Sequence, residues 1–293
     1  PVNANRGLIF GNLKPKPVSG NKPVIVFIPG ILGSNLSKDN DEIYLKIDEI
    51  MRGKMASLTI DAPNVKATSL IGKFYSKFAE AFSDTYDVAV FPYDWRMSIQ
   101  HEAEKLNQYI TNILQKINGK TLKIVAHSMG GLVTREFIHN YKNTTWATIT
   151  SRSDFKVIFL GSPLGGSYLI PEILVGKGGR IKQLAGMDLF HSKEKLLKVF
   201  SKYEGILSLL PIDTSTHDFT NPDTWQKMKD NFTSVNWPLP DAATLTKFKQ
   251  FHKRVLEFDT AVYKDKNFIY IAGKSDSTVN GFYYLPYTGD EDK

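Results

Sequence analysis

Ser128 stands between Ala126 and Gly130 in the run Ala-His-Ser-Met-Gly-Gly that ends at Gly131. A serine hydroxyl in such a run suits attack on a carbonyl carbon, with an acyl group passing through the serine oxygen. Small residues two positions to either side allow a strand and a helix to pass close together at a sharp turn, the arrangement called a nucleophile elbow. Such a turn strains the serine backbone, exposes Oγ, and aims the first amides of the following helix, Met129 among them, at the reacting oxygen. Many elbows carry glycine where this chain has Ala126. His127 is read as a structural neighbour whose ring points away from Oγ across the turn.

An acyl-transferring serine needs a second amide for the developing oxyanion. Pro29 to Leu36, PGILGSNL, follows a strand-like run and breaks it with Pro-Gly, leaving the next amides without ladder partners. The Ile31 amide is the first choice for this donor and Leu32 the second. The serine also needs a base, and the base an orienting acid. Asp276, in GKSDSTV from Gly273 to Val279, lies just past a late strand, where the acid follows in the order nucleophile, acid, base. The base does not follow: all six histidines, at 101, 127, 139, 191, 217 and 252, precede Asp276. Without imidazole in reach, Ser128 keeps an alcohol's proton at neutral pH. Three readings stay open. The sequence is a piece that ends before the histidine of a longer protein, or a histidine such as His252 or His217 is recruited, or the protein does not catalyse.

Elements that position these residues can be read from hydrophobic spacing. Pro23 to Ile28 is a continuous apolar run, the pattern of a central parallel strand buried on both faces. Gly72 to Ser83 has helical spacing through Phe74, Tyr75, Phe78, Ala79 and Phe82, and Tyr86 to Phe91 is the next strand. Ser98 caps a helix with the stripe Ile99, Ala103, Leu106, Ile110, Ile113 and Ile117, ending at Asn118 and Gly119. Leu122 to Ala126 is the strand before the elbow, and Leu132, Val133, Phe137 and Tyr141 mark the helix after it. Lys156 to Gly161 and Phe268 to Ala272 add two more strands. The alternation predicts an α/β fold with a mostly parallel, doubly wound sheet.

Between those last two strands the alternation fails. Residues 164–266 show helical spacing, at Ser192 to Phe200 and Leu245 to Phe258, and read as a lid inserted over the site. The predicted organisation is an N-terminal arm over 1–21, a core over 22–163 and 267–293 whose C-terminal part is incomplete, and a lid over 164–266. Ile43 to Val65 is a less regular insertion with apolar anchors at Tyr44, Leu45 and Leu58 and no chemical signal.

Composition bounds the rest. The 293 residues are 42% apolar and 12% aromatic, enough for one large domain or a domain with a cap. No run is long and apolar enough to cross a bilayer. The absence of cysteine excludes disulfides, thiol nucleophiles and thiolate metal sites. No cofactor or metal is expected. The start at Pro1 suggests a processed or excised piece and leaves the compartment open. The formal charge of +7 gathers between Lys177 and Lys202 and on Lys247, Lys249, Lys253 and Arg254, beside the stripe Leu245, Phe248, Phe251, Val255 and Phe258. A basic amphipathic helix can lie on an anionic bilayer or pack its apolar stripe onto its own protein. No stacking module or groove-reading motif points to nucleic acid.

PGILGSNL at Pro29, PYDWR at Pro92, AHSMGG at Ala126, GSPLGGS at Gly161 and SLLP at Ser208 come in the order and spacing of a known family. From about Pro23 to Val279 the chain resembles the lecithin:cholesterol acyltransferase and lysosomal phospholipase family of α/β-hydrolases. The resemblance implies a serine enzyme that moves a fatty acyl group from a glycerophospholipid or similar ester to water or an alcohol. It matches Ser128 to the nucleophile, Met129 to the amide after it, and Ile31 to the second donor. In that family the acid often lies in a later Gly-Asp-Gly-Thr-Val-like segment, which is absent here, so Asp276 is either the acid or a loop residue upstream of it. The expected function is a phospholipase A, lipase or acyltransferase acting on a lipid ester, at an anionic membrane surface, within a longer chain that supplies the histidine. The alternative is a catalytically incomplete lipid- or membrane-binding module on a hydrolase scaffold.

Overall fold

A computed structural model describes residues 12–39, 41–42, 58–176, 193–232 and 236–283. Five strands form the central sheet: β1 (Val24–Ile28), β5 (Asp87–Val90), β6 (Leu122–His127), β7 (Lys156–Leu160) and β8 (Phe268–Ile271), in the order β5-β1-β6-β7-β8. Every pairing in it is parallel. β1 is buried along its whole length, as its uninterrupted apolar run requires of a strand covered on both faces. A second, antiparallel sheet of β2 (Ser34–Lys38), β3 (Asp41–Glu42) and β4 (Val65–Leu70) runs in the order β3-β2-β4. Its polar strands carry no alternating apolar pattern. The sequence therefore reads Ser34 to Leu36 as loop, and the structure corrects this to strand. Leu13 of the N-terminal stretch bridges to Leu70, so this part of the expected arm is tied to the second sheet.

Strand alternation sorts the side chains between the two faces. Val24, Val26, Ile28, Ile124, Ala126, Val157 and Phe159 face the larger core. There lie α2 (Ile99–Leu114), α3 (Gly130–Asn140) and α4 (Thr145–Thr150). Ile25, Phe27 and Val125 face Tyr75 and Phe78 of α1 (Gly72–Phe82) on the other side. His127 shares the parity of Val125, which turns its ring toward α1. In α2 the expected stripe is buried and the Ser98 hydroxyl caps the His101 amide at 3.2 Å. Each buried Ile or Leu there contributes about 1.5–3 kcal/mol relative to exposure. Two expected apolar positions of α1, Phe74 and Phe82, are exposed instead, because only the Tyr75 and Phe78 side of that helix meets the sheet.

Between β7 and β8 the regular elements among the described residues are all helical: α5 (Leu169–Leu174), α6 (Lys193–Phe200), α7 (Glu204–Leu207), α8 (Pro222–Asn231), α9 (Ala242–Leu256) and a 3-10 turn at Thr260–Lys264. α9 buries Leu245, Phe248 and Phe251 against the protein's own core, while Lys247, Lys249 and Lys253 face solvent. Two ion pairs tie α9 down: Lys247 to Glu204 at 2.6 Å, and Arg254 to the buried Glu136 of α3 at 2.8 Å. Of the expected basic cluster between Lys177 and Lys202, Lys195, Lys198 and Lys202 are exposed, while Lys177, Arg180 and Lys182 lie outside the described residues, as do Tyr44, Leu45 and the stretch from Tyr287 to Lys293.

Candidate active site

Ser128 follows the last residue of β6 with φ +52, in the left-handed region that a side chain rarely adopts. Such a conformation costs about 1–3 kcal/mol and persists only where its surroundings fix it. They do so here from both sides. The Ser128 amide donates to the Leu160 carbonyl of β7 at 2.9 Å, and the Ser128 carbonyl accepts from the Gly131 amide at 2.9 Å. Glycine is needed at 130 because a methyl there would lie 2.6 Å from the Pro29 carbonyl oxygen and 2.7 Å from that of Ile28. A methyl on Gly131 would collide with Ser162. α3 starts at once and is buried from Gly130 through Ile138, more completely than its expected single stripe requires. Met129 is buried, while Ser128 is partly open to solvent.

Facing the elbow is the loop after β1. A methyl on Gly30 would come within 2.9 Å of Ser128 Cβ and 3.0 Å of His127 Nδ1, so the two loops touch. The Pro29–Gly30 peptide is held at both ends: the Tyr93 hydroxyl donates to the Pro29 carbonyl at 3.1 Å, and the Gly30 amide donates to the Tyr75 hydroxyl at 3.2 Å. The Gly33 amide closes the turn on the Gly30 carbonyl at 3.0 Å, and Leu32 adopts φ +58. The amides of Ile31, Leu32 and Met129 donate to no described residue, so they are available to an oxyanion.

PYDWR is the bracket behind this loop. The Tyr93 amide donates to the Ser34 hydroxyl at 3.0 Å and Trp95 Nε1 to the Ser34 carbonyl at 3.3 Å. Asp94 and Arg96, both buried, pair through two bonds of 2.9 and 2.6 Å, and the same guanidinium reaches the Leu58 and Thr59 carbonyls. The Tyr203 hydroxyl also donates to Leu58, and the Met129 side chain packs on Gly205 of α7. The segment leading into SLLP thus closes on the back of the site, and SLLP itself accepts the Ser167 amide at the Leu209 carbonyl, 2.8 Å away.

Tyr75 carries a role that sequence spacing did not reveal, since its position reads as one apolar site among several. Its hydroxyl lies 3.1 Å from His127 Nδ1. Burial pushes the Tyr75 hydroxyl up and the His127 imidazole down from their ordinary pKa values, which favours the neutral form of each.

Asp276 lies in a bend beyond β8, exposed and without a hydrogen bond to a described residue. His252 Nε2 is 2.6 Å from the Ile212 carbonyl, His139 stacks on Phe258 at 4.0 Å, and His217 stacks on Phe219 at 5.8 Å. His101 is largely exposed beside Glu102, and His191 lies outside the described residues. No described histidine hydrogen-bonds Ser128 or Asp276. Nor are three His, Asp or Glu side chains grouped for a metal ion among the described residues.

Residues 81–275 match the family model described as lecithin:cholesterol acyltransferase. The chain belongs to the lecithin:cholesterol acyltransferase family. A chain of the crystal structure of the Tle4-Tli4 complex superposes at TM-score 0.54 with 14% identity, over 80% of this chain and 72% of the other. The mature lipase BlEst2 of Bacillus licheniformis aligns at TM-score 0.39 with 16% identity, over 81% of this chain and 69% of the other. No curated protein matches. The first of these likenesses speaks to fold alone, and the fold is that of the α/β-hydrolases. Membership of the lecithin:cholesterol acyltransferase family supports a lipid acyl hydrolase or acyltransferase of esterase or lipase type.

Proposed function

We propose that this family member is a serine-dependent lipid acyl hydrolase or acyltransferase working through an acyl-enzyme. The observation that carries the reading is the contact between Gly30 and Ser128, which sets a strained, partly open serine against two loops with uncommitted amides. In the proposed reaction Ser128 Oγ attacks the ester carbonyl of a lipid. The amides of Ile31 and Met129 hold the oxyanion, each lowering the barrier by about 3 kcal/mol. The leaving alcohol departs, and water or a second alcohol releases the acyl group. Asp276, at the same C-terminal end of the parallel sheet, is the proposed acid. The base is assigned to a histidine of a longer chain, because no described histidine hydrogen-bonds Ser128 or Asp276. The segment over 164–266 is proposed as the lid, and its lysines as the contact with an anionic membrane surface.

Acyl release from short-chain and phospholipid esters by the protein in its full-length chain tests this. Ser128→Ala is expected to lower kcat by about a millionfold. Turnover at the wild-type rate in that variant removes the reading. Sedimentation with anionic vesicles separates the second reading, since binding without any ester turnover would assign the protein to lipid binding alone.

A further inference from the structure

Tyr75 of α1 links the two loops on which acyl transfer would depend. Its hydroxyl has one proton and accepts from the Gly30 amide at 3.2 Å, so that proton is free to go to His127 Nδ1, 3.1 Å away. The chain of donors runs one way, from Gly30 N–H through the Tyr75 hydroxyl to an unprotonated Nδ1, and leaves the His127 ring proton on Nε2. The ring is held as well: Tyr75 is buried and packs on Phe27 of β1 with centroids 5.0 Å apart. On the other side of the same peptide, Tyr93 grips the Pro29 carbonyl. The next amide along is that of Ile31. The Gly30 carbonyl, on the same peptide as that amide, accepts from the Gly33 amide at 3.0 Å, so with both peptides held the Ile31 amide cannot rotate away.

We propose that Tyr75 is a positioning residue for acyl transfer: by joining the Gly30 amide to His127 it fixes the oxyanion loop against the Ser128 elbow. The proposal rests on the acyl-transfer reading above and gives His127 a role in placing the loop instead of in proton transfer to Ser128. The Tyr75 hydroxyl bonds Gly30 and His127 and makes no hydrogen bond to Ser128. Its loss therefore acts through the Ile31 amide, whose misplacement is felt in the transition state more than in substrate binding.

Tyr75→Phe in the full-length protein keeps the ring and deletes the strut. The expected result is kcat lower by about ten- to a hundredfold at unchanged KM. Adding His127→Phe to it should cause no further loss. A folded Tyr75→Phe protein with wild-type kcat, or one whose loss lies wholly in KM, overturns the proposal. Should Tyr75→Phe not fold, His127→Phe alone asks the same question from the elbow side. A lower kcat at unchanged KM supports the strut, and wild-type kcat overturns it. The 15N imidazole signals of His127 give a readout independent of turnover. If Ser128→Ala shows that the acyl-transfer reading is wrong, the strut is judged on these alone. An acceptor-type Nδ1 signal that shifts in Tyr75→Phe upholds it, and an unmoved signal overturns it.

Discussion

Two loops at the same end of the sheet carry the proposed nucleophile and the proposed acid, and they are built in opposite ways. The Ser128 turn is pinned by β7, by Gly30 and by the first residues of α3, with the Asp94–Arg96 pair bracing the loop across from it. The Asp276 bend leaves an edge strand whose Ile269, Tyr270 and Ile271 are 39%, 48% and 54% exposed, and it holds no described partner. Oxyanion stabilisation depends on donors that do not reorganise during reaction, so rigidity belongs at the elbow. An acid acts by orienting a base.

Asp276→Asn breaks this comparison most sharply. If the exposed carboxylate orients the base, the change lowers kcat by about ten-thousandfold and leaves the Ser128 turn intact. Unchanged kcat in the full-length chain would hand the role to another acid and leave Asp276 a loop residue. Single-turnover acylation of Ser128 in the same variant tells whether the lost step is attack or later release.

The contrast was half legible in the sequence. The elbow, the loop after β1 and β1 itself announce themselves because glycines, an apolar run and a Pro-Gly break are local signals with local causes. The second sheet did not, since β2 has the sequence Ser-Asn-Leu-Ser-Lys and is held by pairing with β4 instead of by an apolar face. Tyr75 and His127 were missed as a pair because their meeting depends on strand parity and on which side of α1 meets the sheet. The residues of PYDWR were recognised as a motif without their purpose. That purpose is a buried bracket linking Ser34, Leu58 and Pro29, sites far apart in sequence.

The start of α2, beside the Asp94–Arg96 bracket, carries a pH signature. Glu102, in the first turn of α2, is buried, and burial pushes its carboxyl up to about 7 from 4.5 despite the bond from Lys105. Below pH 4.5 the group is protonated in both states and costs nothing. Between 4.5 and 7 the unfolded chain ionises first, so stability falls as pH rises, by about 3 kcal/mol once pH exceeds 7. Urea unfolding at pH 4.5 and 7.5 should show that loss in the wild type and a flatter dependence in Glu102→Gln. Equal slopes in the two proteins would mean that the carboxyl is not held as described.

Paired glycine substitutions compare the two loops with one change of the same size. A methyl on Gly30 meets Ser128 Cβ at 2.9 Å and His127 Nδ1 at 3.0 Å, neither of them the far end of a flexible side chain. The loop must then retreat by a few tenths of an ångström, and the Ile31 amide goes with it. A methyl on Gly273, near Asp276, meets nothing within 4 Å. Gly30→Ala is therefore expected to lower kcat by about a hundredfold with KM little changed, while Gly273→Ala leaves kcat within about twofold, as surface substitutions away from tight packing do. Equal losses at the two positions would show that the acid loop is as tightly seated as the elbow. Two silent variants would show that the contact between Gly30 and Ser128 does not set the geometry of the reaction.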